Sequence, residues 1–157
     1  MMVTVDLEAE YRTHVADLVR FATVLVGPHD ANDVVNEAVT TTIARNSLAA
    51  VDDVRAYWFR AVANTSADWH RSRFRRHARE LRSAERALTN ETATPLDARR
   101  VLAALSAQQQ AVVYLTYWHD WPIDRVAEVL QVSDGTVRKQ LARAREHLRE
   151  VLGDGRA

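Results

Sequence analysis

The chain of 157 residues contains no cysteine. That excludes disulfide staples, thiol nucleophiles and cysteine-ligated zinc together. Glycine and proline are scarce as well, at 4 and 3. A β-rich chain spends both on its turns, so their scarcity favours helix. No apolar run approaches the ~20 residues that a membrane-spanning helix needs. The opening MMVTVDLEAEYRTHV has no basic segment followed by an apolar run, so it does not read as a signal peptide. The expectation is a soluble cytoplasmic protein. A Gly-rich phosphate loop and a nucleophile motif are also missing. The histidines at 14, 29, 70, 77, 119 and 147 are scattered, and His70 and His77, two turns apart, have no evident third ligand. An enzyme is therefore not expected, nor is a bound metal or cofactor.

What is present is helix-forming material. Alanine, leucine, arginine and glutamate dominate. The 21 basic and 21 acidic side chains cancel, yet they are unevenly placed. Residues 1–66 carry net −4, residues 67–82 net +4, residues 83–133 net −2 and residues 134–157 net +2. A phosphate backbone feels such local clusters rather than the total.

Apolar residues at Leu7, Tyr11, Val15, Leu18, Ala22 and Leu25 recur at steps of three and four, which predicts a helix over residues 6–26. GPHD breaks it, and Asp30 is placed to cap a second helix over residues 31–46. The stripe of that helix is Val34, Val35, Ala38, Val39, Thr42 and Ile43. Residues 46–53 read as a loop. A long helix over residues 54–82 follows, with Trp58, Val62, Thr65 and Trp69 on one face. That spacing makes both tryptophans core residues. Between residues 71 and 82 the same helix has six arginines against one glutamate. Such density repels itself unless an anion neutralises it, which points to phosphate contact.

Residues 83–98 read as a linker, because TNETATP is polar and aperiodic. Beyond it lie a short helix in DARRVLAAL, a helix capped by Ser106 in AQQQAVVYLTYWHD, and, after Trp121–Pro122, a third in IDRVAEVL. QVSDG is a turn before the final helix. This last pair has the layout of a helix-turn-helix. Ile123, Val126, Ala127 and Leu130 form one inner face; Val137, Leu141, Ala144, Leu148 and Leu152 form the other. Val132 plugs the turn and Ser133 caps the second helix. Arg138 and Lys139 sit near the helix N-terminus, where the dipole disfavours cations. A hairpin with a solvated basic face would satisfy the periodicity; a helix reading the major groove would also explain the misplaced charge.

The stretch from Leu105, LSAQQQAVVYLTYWHDWPIDRVAEVLQVSDGTVRKQLARAREHLREVL, resembles the C-terminal domain of sigma factors of the sigma-70 family, extracytoplasmic-function (ECF) group. A helix-turn-helix alone would also fit a LuxR-type regulator. DANDVVNEAVTTTIAR resembles the acidic helix by which ECF factors bind core RNA polymerase, and VRAYWFRAVANTSADWHRSRFRRHA their minus-ten helix and basic tail. The resemblance implies an all-α fold of two small helical domains joined by a flexible linker: residues 1–82 (region 2), linker 83–98, and residues 99–157 (region 4, a helix-turn-helix). It implies promoter-specific transcription initiation, with core polymerase (the β′ clamp helices and the β flap), promoter DNA and an anti-sigma factor as partners.

It also implies roles by position. Asp30, Asp33, Val34, Glu37 and Ala38 fall on the polymerase-binding helix. Asn64, Asp68, His70, Arg71, Arg73, Arg75 and Arg76 fall beside the minus-ten element. Ser133, Asp134, Gly135, Thr136, Arg138, Lys139 and Arg143 fall on the minus-thirty-five recognition helix. Asn36 stands where the family usually has glutamine. The other reading is a dimeric helix-turn-helix regulator that acts without being a polymerase subunit.

Overall fold

The computed structural model describes residues 6–45, 53–83 and 105–154, and every regular element among them is a helix. Most of the loop read over residues 46–53, the linker beyond Ser83 and the short helix expected before Ser106 lie outside the described residues.

Helix α1 (Leu7–Val26) starts where the Asp6 carboxylate accepts hydrogen bonds from the Glu8 and Ala9 amides, at 3.2 and 3.4 Å. It ends at Gly27, whose amide donates to the Thr23 carbonyl at 2.9 Å. Gly27 has φ 87° and ψ 165°, a conformation essentially restricted to glycine. A Cβ there would meet nothing within 4 Å, so the requirement is conformational and not spatial. Gly27→Ala is therefore expected to lower the unfolding free energy by about 1–3 kcal/mol. Urea unfolding checks this; an unchanged midpoint would refute it.

Helix α2 (Ala31–Ala44) buries Ala31, Val34, Val35, Ala38, Val39 and Thr42. Ile43, expected on this stripe, is 52% exposed, while Thr42 beside it is buried. Asp30 occupies the N-cap position but its side chain makes no capping bond. Helix α3 (Val54–Ser83) crosses both and completes a three-helix unit around Leu18, Phe21, Trp58 and Val62, all fully buried. Trp69 is half-buried rather than central.

The second unit begins with α4 (Ala107–Val113), where Ser106 and Gln109 form a reciprocal capping box at 3.2 and 3.1 Å. The helix does not run on to Asp120 with regular turns. It widens into a π turn over Tyr114–Trp118, with the His119 amide bonding back to the Tyr114 carbonyl. That widening turns Tyr114, His119 and Trp121 toward the first unit. Helix α5 (Ile123–Leu130) follows Pro122, which takes the N-cap position. It closes with Gln131 in the left-handed region at φ 57° and the Val132 amide bonded to the Ala127 carbonyl at 3.0 Å. Helix α6 (Asp134–Asp154) is last.

The two units do not sit apart. Helix α1 touches α4 and α3 touches α5, and one continuous apolar core includes residues of both. Phe21 faces Tyr114 with ring centroids 5.4 Å apart, and Phe59 faces Trp121 at 5.3 Å. Burial pushes the Tyr114 hydroxyl up to about 12, with nearby Asp17 adding to the effect and Arg20 opposing it. No helix among the described residues is long and apolar enough to cross a membrane.

Candidate nucleic-acid and polymerase surfaces

The helix-turn-helix is built from α5 and α6. Val126, Ala127 and Val129 are buried on α5, and Val137, Leu141 and Ala144 on α6. Val129 takes the inner place expected of Leu130, which is half-buried like Ile123. Leu148 is half-buried and Leu152 is 55% exposed, so the apolar seam of α6 ends earlier than its periodicity suggests. Helix α5 is only two turns long and offers nothing for Leu152 to pack on.

Ser133 starts the recognition helix: its Oγ accepts from the Thr136 amide at 3.1 Å and pairs with the Thr136 hydroxyl at 2.9 Å. The cap sets α6 so that Asp134, Gly135, Arg138, Lys139 and Arg143 are exposed and Thr136 is half-buried. Arg138 and Lys139 have no ion pair or side-chain hydrogen bond among the described residues. The face behind them is braced on α4. The Gln140 side-chain amide donates to Gln108 Oε1 at 2.8 Å, and Arg145 donates twice to the Tyr117 hydroxyl, at 2.9 and 2.6 Å. The result is a capped and braced helix whose first turns carry two cations with no partner among the described residues.

The second half of α3 is a different surface. Asn64, Asp68, Arg71, Arg73, Arg75 and Arg76 are all exposed, as is Phe74 at 75%. Asp68 and Arg71 are ion-paired with each other. Arg73 lies over the Trp69 ring, 5.0 Å from its centroid, and 3.8 Å from the Asp30 carboxylate. His70 differs from the rest. It is half-buried, and its Nε2 donates to the Leu25 carbonyl at 2.6 Å, fastening α3 to the end of α1. Arg75 and Arg76 extend the positive stripe, and the aromatic Phe74 stands between them and Arg73.

Helix α2 offers an acidic surface. Asp33 and Glu37 are exposed one turn apart, with Asn36 beside them. Val34 and Ala38, each 1% exposed, lie beneath them in the core. They set the pose of the helix and leave the outward contacts to the carboxylates. The residues singled out in the sequence thus gather into three surfaces: acidic on α2, basic and aromatic on α3, basic on α6. What sequence reasoning missed is the junction between the units. Arg55, Phe59, His119 and Trp121 meet there, and a buried face on the flank of each helix was the only available signal.

Such an arrangement defines a helical nucleic-acid-binding protein with a helix-turn-helix in its second unit and a separate basic helix in its first. Residues 96–148 match the family model "Sigma-70, region 4". The chain is 32% identical over 154 residues to the RNA polymerase sigma-E factor of Streptomyces coelicolor, covering 94% of this chain and 86% of that protein. It is 30% identical over 159 residues to the ECF RNA polymerase sigma factor SigL of Mycobacterium tuberculosis, covering 93% and 88%. Among solved structures it resembles CnrH in complex with the cytosolic domain of CnrY, with a TM-score of 0.67, 25% identity, and 96% and 89% of the two chains covered. The sigma factor RpoE from Bartonella quintana, in complex with the anti-sigma factor NepR, shares the fold, with a TM-score of 0.71 at 22% identity over 94% and 97% of the chains. The chain belongs to the extracytoplasmic-function sigma factors of RNA polymerase. A regulator acting without polymerase is not favoured.

Proposed function

We propose a division of labour among the three surfaces of this sigma factor. Helix α2 presents Asp33 and Glu37, with Asp30 at its start, to the β′ clamp helices of core polymerase. The arginines of α3 follow the minus-ten DNA, and the exposed Phe74 gives an unstacked base an aromatic face. Helix α6 enters the major groove at the minus-thirty-five element. Residues 1–82 act as region 2, residues 83–98 as the linker and residues 99–157 as region 4, which also meets the β flap. The protein works in the cytoplasm, catalyses no reaction of its own and is held in check by an anti-sigma factor, as the two solved relatives are found with such a partner or a cytosolic domain bound.

One observation carries this reading. Arg138 and Lys139 occupy the N-terminal turns of a capped, braced helix, where the helix dipole opposes them and no side chain among the described residues pairs with them. A phosphate or base edge supplies what the fold withholds. Run-off transcription with purified chain and core polymerase is expected to yield transcripts from a restricted set of promoters. Tight binding of duplex DNA by a dimer of the chain, with no gain on adding core polymerase, would replace this reading with the freestanding regulator.

A further inference from the structure

Of the residues placed beside the minus-ten element, His70 alone is not exposed. Its Nε2 lies 2.6 Å from the Leu25 carbonyl oxygen. A carbonyl can only accept, so Nε2 carries the proton and spends it on the protein itself. Leu25 belongs to the last turn of α1, where the final four carbonyls have no partner within the helix. His70 therefore satisfies a backbone group 45 positions away.

The place of this bond along α3 gives it leverage. Ser66 is the last buried side chain of the helix among those described. Trp69, His70 and Ser72 are half-buried, and every side chain from 73 to 80 is exposed. From His70 to Ser83 the helix runs about 20 Å. Two contacts tie this half to the corner between α1 and α2. His70 holds Leu25 on one side of Gly27, and Arg73 stands 3.8 Å from Asp30 on the other. The second contact is long and its Arg73 side chain is 67% exposed, so solvent screens it. The first is short and half-buried. His70 also meets the Trp69 ring at nearly a right angle, with centroids 5.0 Å apart, and Arg73 lies over that same ring. The imidazole thus steadies the platform on which Arg73 rests.

We propose that His70 is a positioning residue for minus-ten recognition: it sets the angle at which α3 carries Arg71, Arg73, Arg75 and Arg76 away from the three-helix unit, and touches no DNA itself. This rests on the role given to those arginines above. Helix α2 begins at Ala31, just past Gly27. A bond from α3 to that corner therefore also sets the arginines relative to Asp30 and Asp33, the carboxylates assigned to polymerase. DNA held by a polymerase docked on α2 then meets the arginines at a defined angle. A tilt of about 10° at His70 moves a group six residues on, about 9 Å along the axis, by about 1.5 Å. A shift of that size breaks a guanidinium–phosphate hydrogen bond made at about 2.8 Å. The arginines share one helix and move together, so the loss falls on all of them.

The chain lacks cysteine, so Ala16→Cys on α1 and Ala78→Cys on the second half of α3, both exposed, take one spin label each. Pulsed dipolar spectroscopy on the free full-length chain is expected to give one narrow distance. His70→Leu has no donor, and the amide of His70→Asn is too short to reach the carbonyl; both are expected to broaden it. His70→Gln, whose amide nitrogen stands where Nε2 does, is expected to keep it narrow. With core polymerase, the Leu and Asn variants are expected to lower transcript yield by about 10-fold from a promoter that the parent chain uses. Their core binding is expected to be unchanged. The salt dependence of their promoter binding is expected to flatten by about two units of slope, because several phosphate contacts weaken at once. The Gln variant is expected to transcribe close to the parent level. A narrow distance in both the Leu and Asn variants would overturn the positioning role, as would parental transcription by them. A Gln variant as poor as the Leu variant would mean that the imidazole meets DNA directly, which would overturn it too. The distance is read without DNA or polymerase. The minus-ten reading itself fails only if the parent chain gives no promoter-specific transcripts, so the two failures are distinguishable.

Discussion

Replacing Arg138 and Lys139 together by alanine is expected to cut transcription from promoters that depend on the minus-thirty-five element by about 30- to 1000-fold. The figure follows from about 1–3 kcal/mol for each specific side-chain contact with a base, and less for a phosphate contact. Nothing in the fold compensates or complicates the loss. Both side chains are exposed, and neither has a partner among the described residues. Alanine is also the better helix former, so α6 stays folded. Core binding, which the reading assigns to α2 and the β flap contact, is expected to be unchanged in a competition assay against the parent chain. If one of the two positions contacts phosphate, the salt dependence of promoter binding will also flatten by about one unit of slope. Undiminished transcripts would remove α6 from promoter reading. A parallel loss of core binding would undo the separation of the surfaces.

Phe59→Ala is expected to cost about 3–5 kcal/mol of folding stability, the range for a fully buried phenylalanine. Phe59 has no exposed surface and its ring lies 5.2 Å from Phe21, 5.3 Å from Trp121 and 4.8 Å from His119. It therefore belongs to both units, and the cavity left behind opens at their junction. Urea unfolding followed by tryptophan fluorescence is expected to show a lower midpoint and a division of one transition into two. Phe74→Ala is the matched control. Phe74 is on the same helix but 75% exposed, so its removal is expected to change stability by no more than about 0.5 kcal/mol. A Phe59→Ala chain as stable as its Phe74→Ala counterpart would mean that the units do not share a core in solution.

The helices and two of their starts were legible from local chemistry. Ser106 and Ser133 each cap a helix because a serine hydroxyl can satisfy an amide two or three residues on, whatever lies around it. The inner faces of α1, α2 and the first part of α6 followed from apolar spacing. Where that spacing misled, the neighbour was missing. Ile43 and Leu152 keep the period, but no element among the described residues covers them and they are exposed. Asp30 shows the converse: it stands at the cap position, yet its carboxylate turns toward Arg73 on another helix. The acidic, basic and aromatic residues of the three surfaces could be found in the sequence because exposed charge depends little on packing. His70 could not be separated from them. Only the chain crossing brings the Leu25 carbonyl within 2.6 Å of its Nε2.

By itself the sequence determined an all-helical chain, a capped helix-turn-helix and the placing of its charge, since each depends on residues within a few positions of one another. The tertiary structure alone decided that the two units share a core. Phe21 and Phe59 lie off the stripes that apolar spacing picks out on α1 and α3, and a second buried face looks, along one helix, like apolar residues out of phase. His119 is one histidine among six until α4 widens into its π turn and carries the ring against Phe59 and Arg55. That contact joins residues 64 positions apart, a separation at which periodicity, capping and charge runs carry no information.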